Sequence, residues 1–227
     1  MLDVPIVDSR YEALPVFPMP SFVLFPNTMT RLHIFEPRYR MMTAEALAGQ
    51  RLIVLVGLKP GWEADYYGSP PTHEIGSLCK IVNEERMEDG RYNLFVHCLA
   101  RVQITHLQRL MPYRVAAVSV LPDVEVPLAE LDQALGRVLS IVRSLVVKMG
   151  EKGQALAEVL GSTRKTAILS NRLTAALCAE PAERQRLLEM TDPLARLDRI
   201  GDLAGDLLVR ADNPEIDFES LDFSVIN

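Results

Sequence analysis

Near residue 125 the hydrophobic period of this chain changes from two to between three and four. That switch limits it to a β-rich part followed by a helical part, an α+β arrangement. In Tyr92 to Thr105, Tyr92, Leu94, Val96, Cys98, Ala100, Val102 and Ile104 alternate with Asn93, His97, Arg101 and Gln103. One face of this strand is buried and the other partly wet. Arg51 to Leu58 is an apolar run of strand length and reads as a strand buried on both faces. Ile75 to Met87 and Tyr113 to Leu121 complete the set. Asp89-Gly90 is a two-residue hairpin signal, since both turn positions need positive φ. With that loop, Cys98 stands opposite Ile81. Cys79 then lies diagonally from Cys98 on the same buried face, too far for an unstrained disulfide, and two core thiols are expected.

From Pro127 to Met149 the apolar residues Leu128, Leu131, Leu135, Val138, Val142, Leu145, Val146 and Met149 keep helical spacing, and this is the longest helix expected. Ser162 or Thr163 can cap a helix over TRKTAILSNRLTAAL. Pro181 fits the first turn of AERQRLLEM, and Thr191-Asp192-Pro193 supplies a cap and first-turn proline for the last helix. The expected division is a β-rich lobe at 1–125, a helical lobe at 126–213 and an acidic tail at 214–227. Phe218, Leu221, Phe223, Val225 and Ile226 would let that tail dock as a strap.

The stretch LPVFPMPSFVLFPNTMTRLHIFEPRYR, Leu14 to Arg40, holds five prolines among large apolar residues. LPVF and Met29 to Phe35 read as short strands, and Pro37 starts a helix that ends at Gly49. The prolines are expected to fix turns at a sheet edge, where a missing N–H costs little.

LPVFP, VLFPNT and RLHIFEPRYRMM together resemble the opening of the amino-terminal substrate-binding domain of the Lon protease family. Asn27 stands where glycine is usual, and asparagine tolerates positive φ. EIGSLCKIVNEERMEDGRYNLFVHCLARVQI, PYRVAAVSVLPD and DPLARLDRIGDLAGDLL resemble later family blocks, so the likeness covers nearly the whole chain. It implies a PUA-like antiparallel or mixed β-barrel followed by a C-terminal helical bundle. It also implies recognition of exposed segments of unfolded or damaged polypeptides. In the family the domain is usually fused to an ATPase and a serine–lysine protease; this chain resembles a free-standing version. Pro26, Phe35, Glu36, Pro37, Arg38 and Tyr39 match the family motif and are expected to be structural.

No catalytic apparatus is legible. The nearest approach to a phosphate-binding loop, GSTRKT at Gly161, has Arg164 where the second glycine belongs and reads better as a helix cap. His33, His73, His97 and His106 form no HExxH pattern. His97 and Cys98 are strand neighbours on opposite faces, so no shared metal is expected. No enzyme activity, cofactor or metal is therefore expected. The net charge is −6, and the residues after Arg210 carry five acids and no base, which leaves the rest near −1. Such a surface is not built to neutralise phosphates. The three cysteines are widely spaced, MLDVPIVDSR lacks a secretory apolar core, and Leu52 to Leu58 is far too short to span a bilayer. A cytoplasmic protein with neither nucleic-acid nor membrane partners is expected.

One loop stands out. KPGWEADYYGSPPTH, Lys59 to His73, holds the only tryptophan and two of six tyrosines. Trp62, Tyr66 and Tyr67 suit the binding of extended apolar peptide; equally, they could fold back and cover one end of the barrel. The leading function is a non-catalytic module that binds exposed hydrophobic segments of polypeptides. The alternatives are a PUA-like nucleic-acid-binding domain, which the charge disfavours, and a small-ligand binder or enzyme, which no titratable cluster supports.

Overall fold

In the computed structural model, which describes residues 10–211, five strands close on themselves in a ring and a sixth hangs from it. The strands are β1 (Arg10–Met19), β2 (Met29–Ile34), β3 (Leu52–Gly57), β4 (Ile75–Arg86), β5 (Tyr92–Arg109) and β6 (Arg114–Val120). β1 runs parallel to β3; the pairs β3–β4, β4–β5, β5–β6 and β6–β1 are antiparallel and complete the circuit. β2 pairs with the first part of β5, Tyr92 to His97. Helix α1 (Pro37–Ala48) makes the crossover that a parallel β1–β3 pair requires. Leu14, Val16, Val54, Leu78, Val102 and Val118 belong to the apolar cluster between these strands. β3 is buried along its whole length, as its unbroken apolar run demands. Gly76 lets β4 approach β3: a Cβ there would stand 2.5 Å from the Leu55 carbonyl oxygen.

Two expectations about this unit need correction. The first concerns the prolines. Pro15 and Pro18 lie inside β1, which has neighbours on both sides, rather than at a sheet edge. The strand changes neighbours between them: β6 pairs with Arg10 to Val16 and β3 with Val16 to Met19. Each proline thus has a paired strand on one side only, which is the position a missing donor tolerates.

The second concerns the hairpin register. The turn runs from Met87 to Arg91, with Met87 N–H donating to Arg91 O and Gly90 N–H to Met87 O, both at 2.9 Å. Register shifts at Leu78/Cys79 and Ile81/Asn83 move the ladder further. As a result Cys79 faces Cys98 directly, and Ile81 faces Val96. Both thiols are free and fully buried. Burial, reinforced by contact with Cys98, pushes the Cys79 thiol well above its ordinary value. Asn27, in the turn before β2, adopts φ of 63°, the left-handed conformation that suits the glycine usual there.

The second unit starts at Asp123 and consists of helices; the described residues divide into compact units between Pro122 and Asp123. α2 (Leu128–Met149) is the longest of the described helices. It is followed by α3 (Gln154–Gly161), α4 (Thr166–Leu177), α5 (Pro181–Glu189) and α6 (Pro193–Arg210). Leu135, Val138, Val142 and Leu145 of α2 pack in one cluster with Leu156, Leu173, Leu197 and Ile200. α6 begins as its sequence requires: Asp192 Oδ1 accepts the Leu194 and Ala195 N–H groups, and Pro193 fills the first turn. Glu180 caps α5 in the same way.

α4 starts two residues later than the Thr163 cap implies. Lys165 occupies its N-cap without a side-chain bond, and Thr163 Oγ1 instead accepts the Lys165 N–H in a turn. α3 was not anticipated. It spans only 8 residues, framed by Gly153 and Gly161. The acidic tail at 214–227 and its apolar residues Phe218, Leu221, Phe223, Val225 and Ile226 lie outside the described residues.

Candidate functional site

The motif residues and the aromatic loop form one cluster. Pro37 opens α1, and Glu36 precedes it at the N-cap position without capping the helix. Its carboxylate is engaged elsewhere: Oε1 accepts the Tyr66 hydroxyl at 2.8 Å, and Oε2 accepts from Arg38 Nε at 3.0 Å. Arg38 Nη2 also donates to the Tyr66 carbonyl at 3.4 Å. The guanidinium lies 4.6 Å from the centre of the Tyr39 ring and 5.7 Å from that of Tyr66. Tyr39 packs on Phe17 at 4.5 Å, tying α1 to β1. In the loop, Tyr66 meets Trp62 edge-on at 5.5 Å and Tyr67 at 5.1 Å. Trp62 and Tyr66 are half-buried, whereas Tyr67 is 84% exposed. Phe35, 58% exposed, stacks on His33 at 6.1 Å. Pro26 lies apart, in the Phe25–Thr28 turn that Thr28 Oγ1 closes onto the Phe25 carbonyl.

Glu36 and Arg38 are therefore the clasp of the Lys59–His73 loop. Burial, and then the hydrogen bond to Glu36, push the Tyr66 phenol up to about 12. The raised value favours the neutral form in the folded protein. The contribution to stability is complete below the ordinary value of 10.0 and is lost as pH rises towards 12. Glu36→Gln removes the carboxylate charge, so the Tyr66 midpoint falls. Ultraviolet difference titration against Tyr66→Phe protein reads that shift; an unmoved midpoint would show that Glu36 does not hold the phenol.

Beside the clasp, a narrow cleft with about 10 Å³ of solvent space lies between α1, the loop and the tip of the β5–β6 hairpin. Arg38, Tyr39, Tyr66, Leu110, Pro112 and Arg114 are among its lining residues. Leu110, 47% exposed, lines it, and two more large side chains with little cover adjoin its lining residues in the chain: Tyr67 between Tyr66 and Gly68, and Met111, at 64% exposure, between Leu110 and Pro112. Sequence reasoning missed Leu110 and Met111. Their signal was two adjacent large apolar residues before Pro112 at a hairpin tip, where no core is required.

A larger groove of about 840 Å³ runs along the start of β1 and the end of α1. Its walls carry the opposed pairs Arg10–Glu12 at 3.2 Å and Arg109–Glu45 at 3.7 Å, and none of the loop aromatics. Among the described residues no group of three or more His, Cys, Asp or Glu side chains could hold a metal ion. No described helix is long and apolar enough to cross a membrane.

A family model for the ATP-dependent protease La (LON) substrate-binding domain matches residues 13–204. Lon protease of Desulfosudis oleivorans is 22% identical over 85% of this chain and 24% of its own length. Lon protease of Syntrophus aciditrophicus is 26% identical over 83% of this chain and 24% of its own. The chain thus spans about a quarter of the curated relatives it matches. Among solved structures, the N-terminal domain of Mycobacterium avium complex Lon protease superposes with a TM-score of 0.65 at 16% identity. It covers 86% of this chain and 99% of that one. A Lon N-terminal domain protein from Xanthomonas campestris gives 0.57 at 20% identity, covering 84% of this chain and 97% of that one.

Proposed function

We propose, on the premise that this chain belongs to the family of Lon substrate-binding domains, that it is a non-catalytic module binding exposed hydrophobic segments of other polypeptides. The observation that carries this reading is the exposure of Tyr67, Leu110 and Met111 on the loop and the hairpin tip whose residues line the cleft beside the Glu36–Arg38 clasp. Large apolar side chains gathered at one place on a surface mark an interaction site. The clasp makes the loop a preorganised platform, so little loop entropy is lost on binding. Among the described strands β2 pairs only with β5, which leaves a second edge for main-chain bonding to an extended client.

Glu36, Arg38 and Tyr66 are committed to one another, which suits a scaffold better than an acid–base pair. Binding proceeds without ATP hydrolysis or peptide cleavage, and the partners are unfolded polypeptides rather than nucleic acid or membrane. Three free, buried cysteines support a cytoplasmic setting. Anisotropy titration of a labelled model protein tests the reading. It binds when reduced and carboxymethylated, and not when native, with no nucleotide present. Equal binding of the two forms, or none of either, would overturn the proposal.

A further inference from the structure

Among the described strands, β2 has a neighbour on one side only. It pairs with β5 without a bulge, from Met29 opposite His97 to Ile34 opposite Tyr92. The residue before it sets the phase of that ladder. Cys98 N–H donates to the Thr28 carbonyl at 2.9 Å, so Thr28 turns its carbonyl towards β5. Main-chain groups alternate sides along a strand, so Thr30, Leu32 and Ile34 bond β5 as well. Met29, Arg31 and His33 then point their N–H and C=O groups away from the sheet. Among the described residues none of these groups has a main-chain partner. The Arg31 carbonyl meets only the Thr30 hydroxyl, at 3.4 Å. A row of unpaired main-chain groups of this kind is a template for one more strand.

The side chains along the edge limit what that strand can be. Leu32 and Ile34 are buried, whereas Arg31 and His33 are exposed. Arg31 lies over the Phe95 ring at 4.7 Å and makes no ion pair among the described residues. His33 is engaged: its Nδ1 meets Asn93 Oδ1 at 2.7 Å, and its ring stacks on Phe35. The middle of the edge therefore carries one cation without a carboxylate. A second copy of this chain fits it poorly. The antiparallel pairing that uses all three outward residues sets the two Arg31 side chains directly opposite each other, and like charges there are destabilising. An acidic residue in the same place is favourable.

We propose that β2 takes an extended segment of the client as an added strand, bonded to the main chain of Met29, Arg31 and His33 and carrying an acidic residue beside Arg31. This deepens the polypeptide-binding function proposed above and rests on it. Main-chain bonds supply affinity whatever the sequence, and Arg31 supplies selection.

Anisotropy with labelled heptapeptides on the intact protein tests the proposal. The parent peptide alternates threonine and valine around a central aspartate. Two derivatives carry N-methyl groups on the even-numbered or on the odd-numbered residues, which removes the amide donors from one edge of the peptide at a time. Only one edge can face β2. One derivative should therefore bind at least about thirtyfold more weakly than the parent, and the other nearly as well. A central lysine in place of the aspartate should weaken binding about fivefold. Arg31→Glu, a change at an exposed site, should reverse that preference and leave the melting temperature unchanged. Equal loss from the two methylated peptides, or loss from neither, overturns strand addition. A preference for aspartate that survives Arg31→Glu overturns the pairing with Arg31. A wild type that sediments as a dimer and binds no heptapeptide assigns the edge to a second copy and overturns the proposal. If the parent peptide fails to bind while a reduced, carboxymethylated protein still does, the edge is overturned and the hydrophobic reading stands. Binding of neither removes both.

Discussion

Replacing Tyr67, Leu110 and Met111 together by serine should weaken binding of an unfolded polypeptide about a hundredfold and leave the melting temperature almost unchanged. A client lying across the surface covers one side of each side chain, so each buries only part of its exposed area. About 1 kcal/mol apiece follows, or about 3 kcal/mol in all. The folded state loses little, because surface substitutions away from special features stay within about 0.5 kcal/mol. Tyr66→Ala should behave differently. It removes the phenol that Glu36 accepts and the ring that meets Trp62 and Tyr67, so the loop loosens and both stability and binding decline. Anisotropy alongside thermal denaturation separates the two variants. A triple variant that melts much earlier but binds normally would show that these side chains serve the fold and not a client.

Asp123→Ala should lower the stability of the helical unit by about 3 kcal/mol. Arg196 in α6 is 2% exposed, and its two terminal nitrogens grip the Asp123 carboxylate at 2.9 and 2.7 Å. Arg196 Nη1 also donates to the Met190 carbonyl at 2.8 Å. Removing the carboxylate leaves a buried cation with one neutral acceptor, which is far costlier than losing a surface pair. The Asp123 side chain is one-third exposed, so water relieves part of the loss and the low end of the usual range applies. Urea denaturation followed by helical circular dichroism measures it. A midpoint within error of wild type would show that the pair contributes nothing.

Local features of this chain were legible because they repeat. The alternation along β5 foretold the buried face of Tyr92, Leu94, Val96, Cys98, Ala100 and Val102 but not the burial of Arg101, expected on the wet face, and Pro193 after Asp192 marked the start of α6. Features set by counting residues across a turn were not legible. The Met87–Arg91 turn and two bulges moved the β4–β5 register by a distance no propensity records, and Cys79 came to face Cys98. The prolines of β1 defied expectation for a related reason: the strand changes partners between Pro15 and Pro18, and that change depends on residues far away in the chain. The clasp was half legible. Glu36, Arg38 and Tyr66 were each singled out, but 30 residues separate Glu36 from Tyr66, and neither charge nor period links them. Arg196 and Asp123, 73 residues apart, gave no signal at all. Leu110 and Met111 were passed over because a hairpin tip is usually polar, and their departure from that norm is what makes them informative.

Site-specific photocrosslinking locates a bound client on the protein surface. A benzophenone side chain is placed at position 67 or 111, on the loop or the hairpin tip, or at position 147, an equally exposed apolar site on α2. Each protein is irradiated with an unfolded, labelled polypeptide and no nucleotide. Covalent capture is expected from positions 67 and 111 and little from 147, with the client left at full length. Capture from 147 alone, or from all three alike, would contradict it.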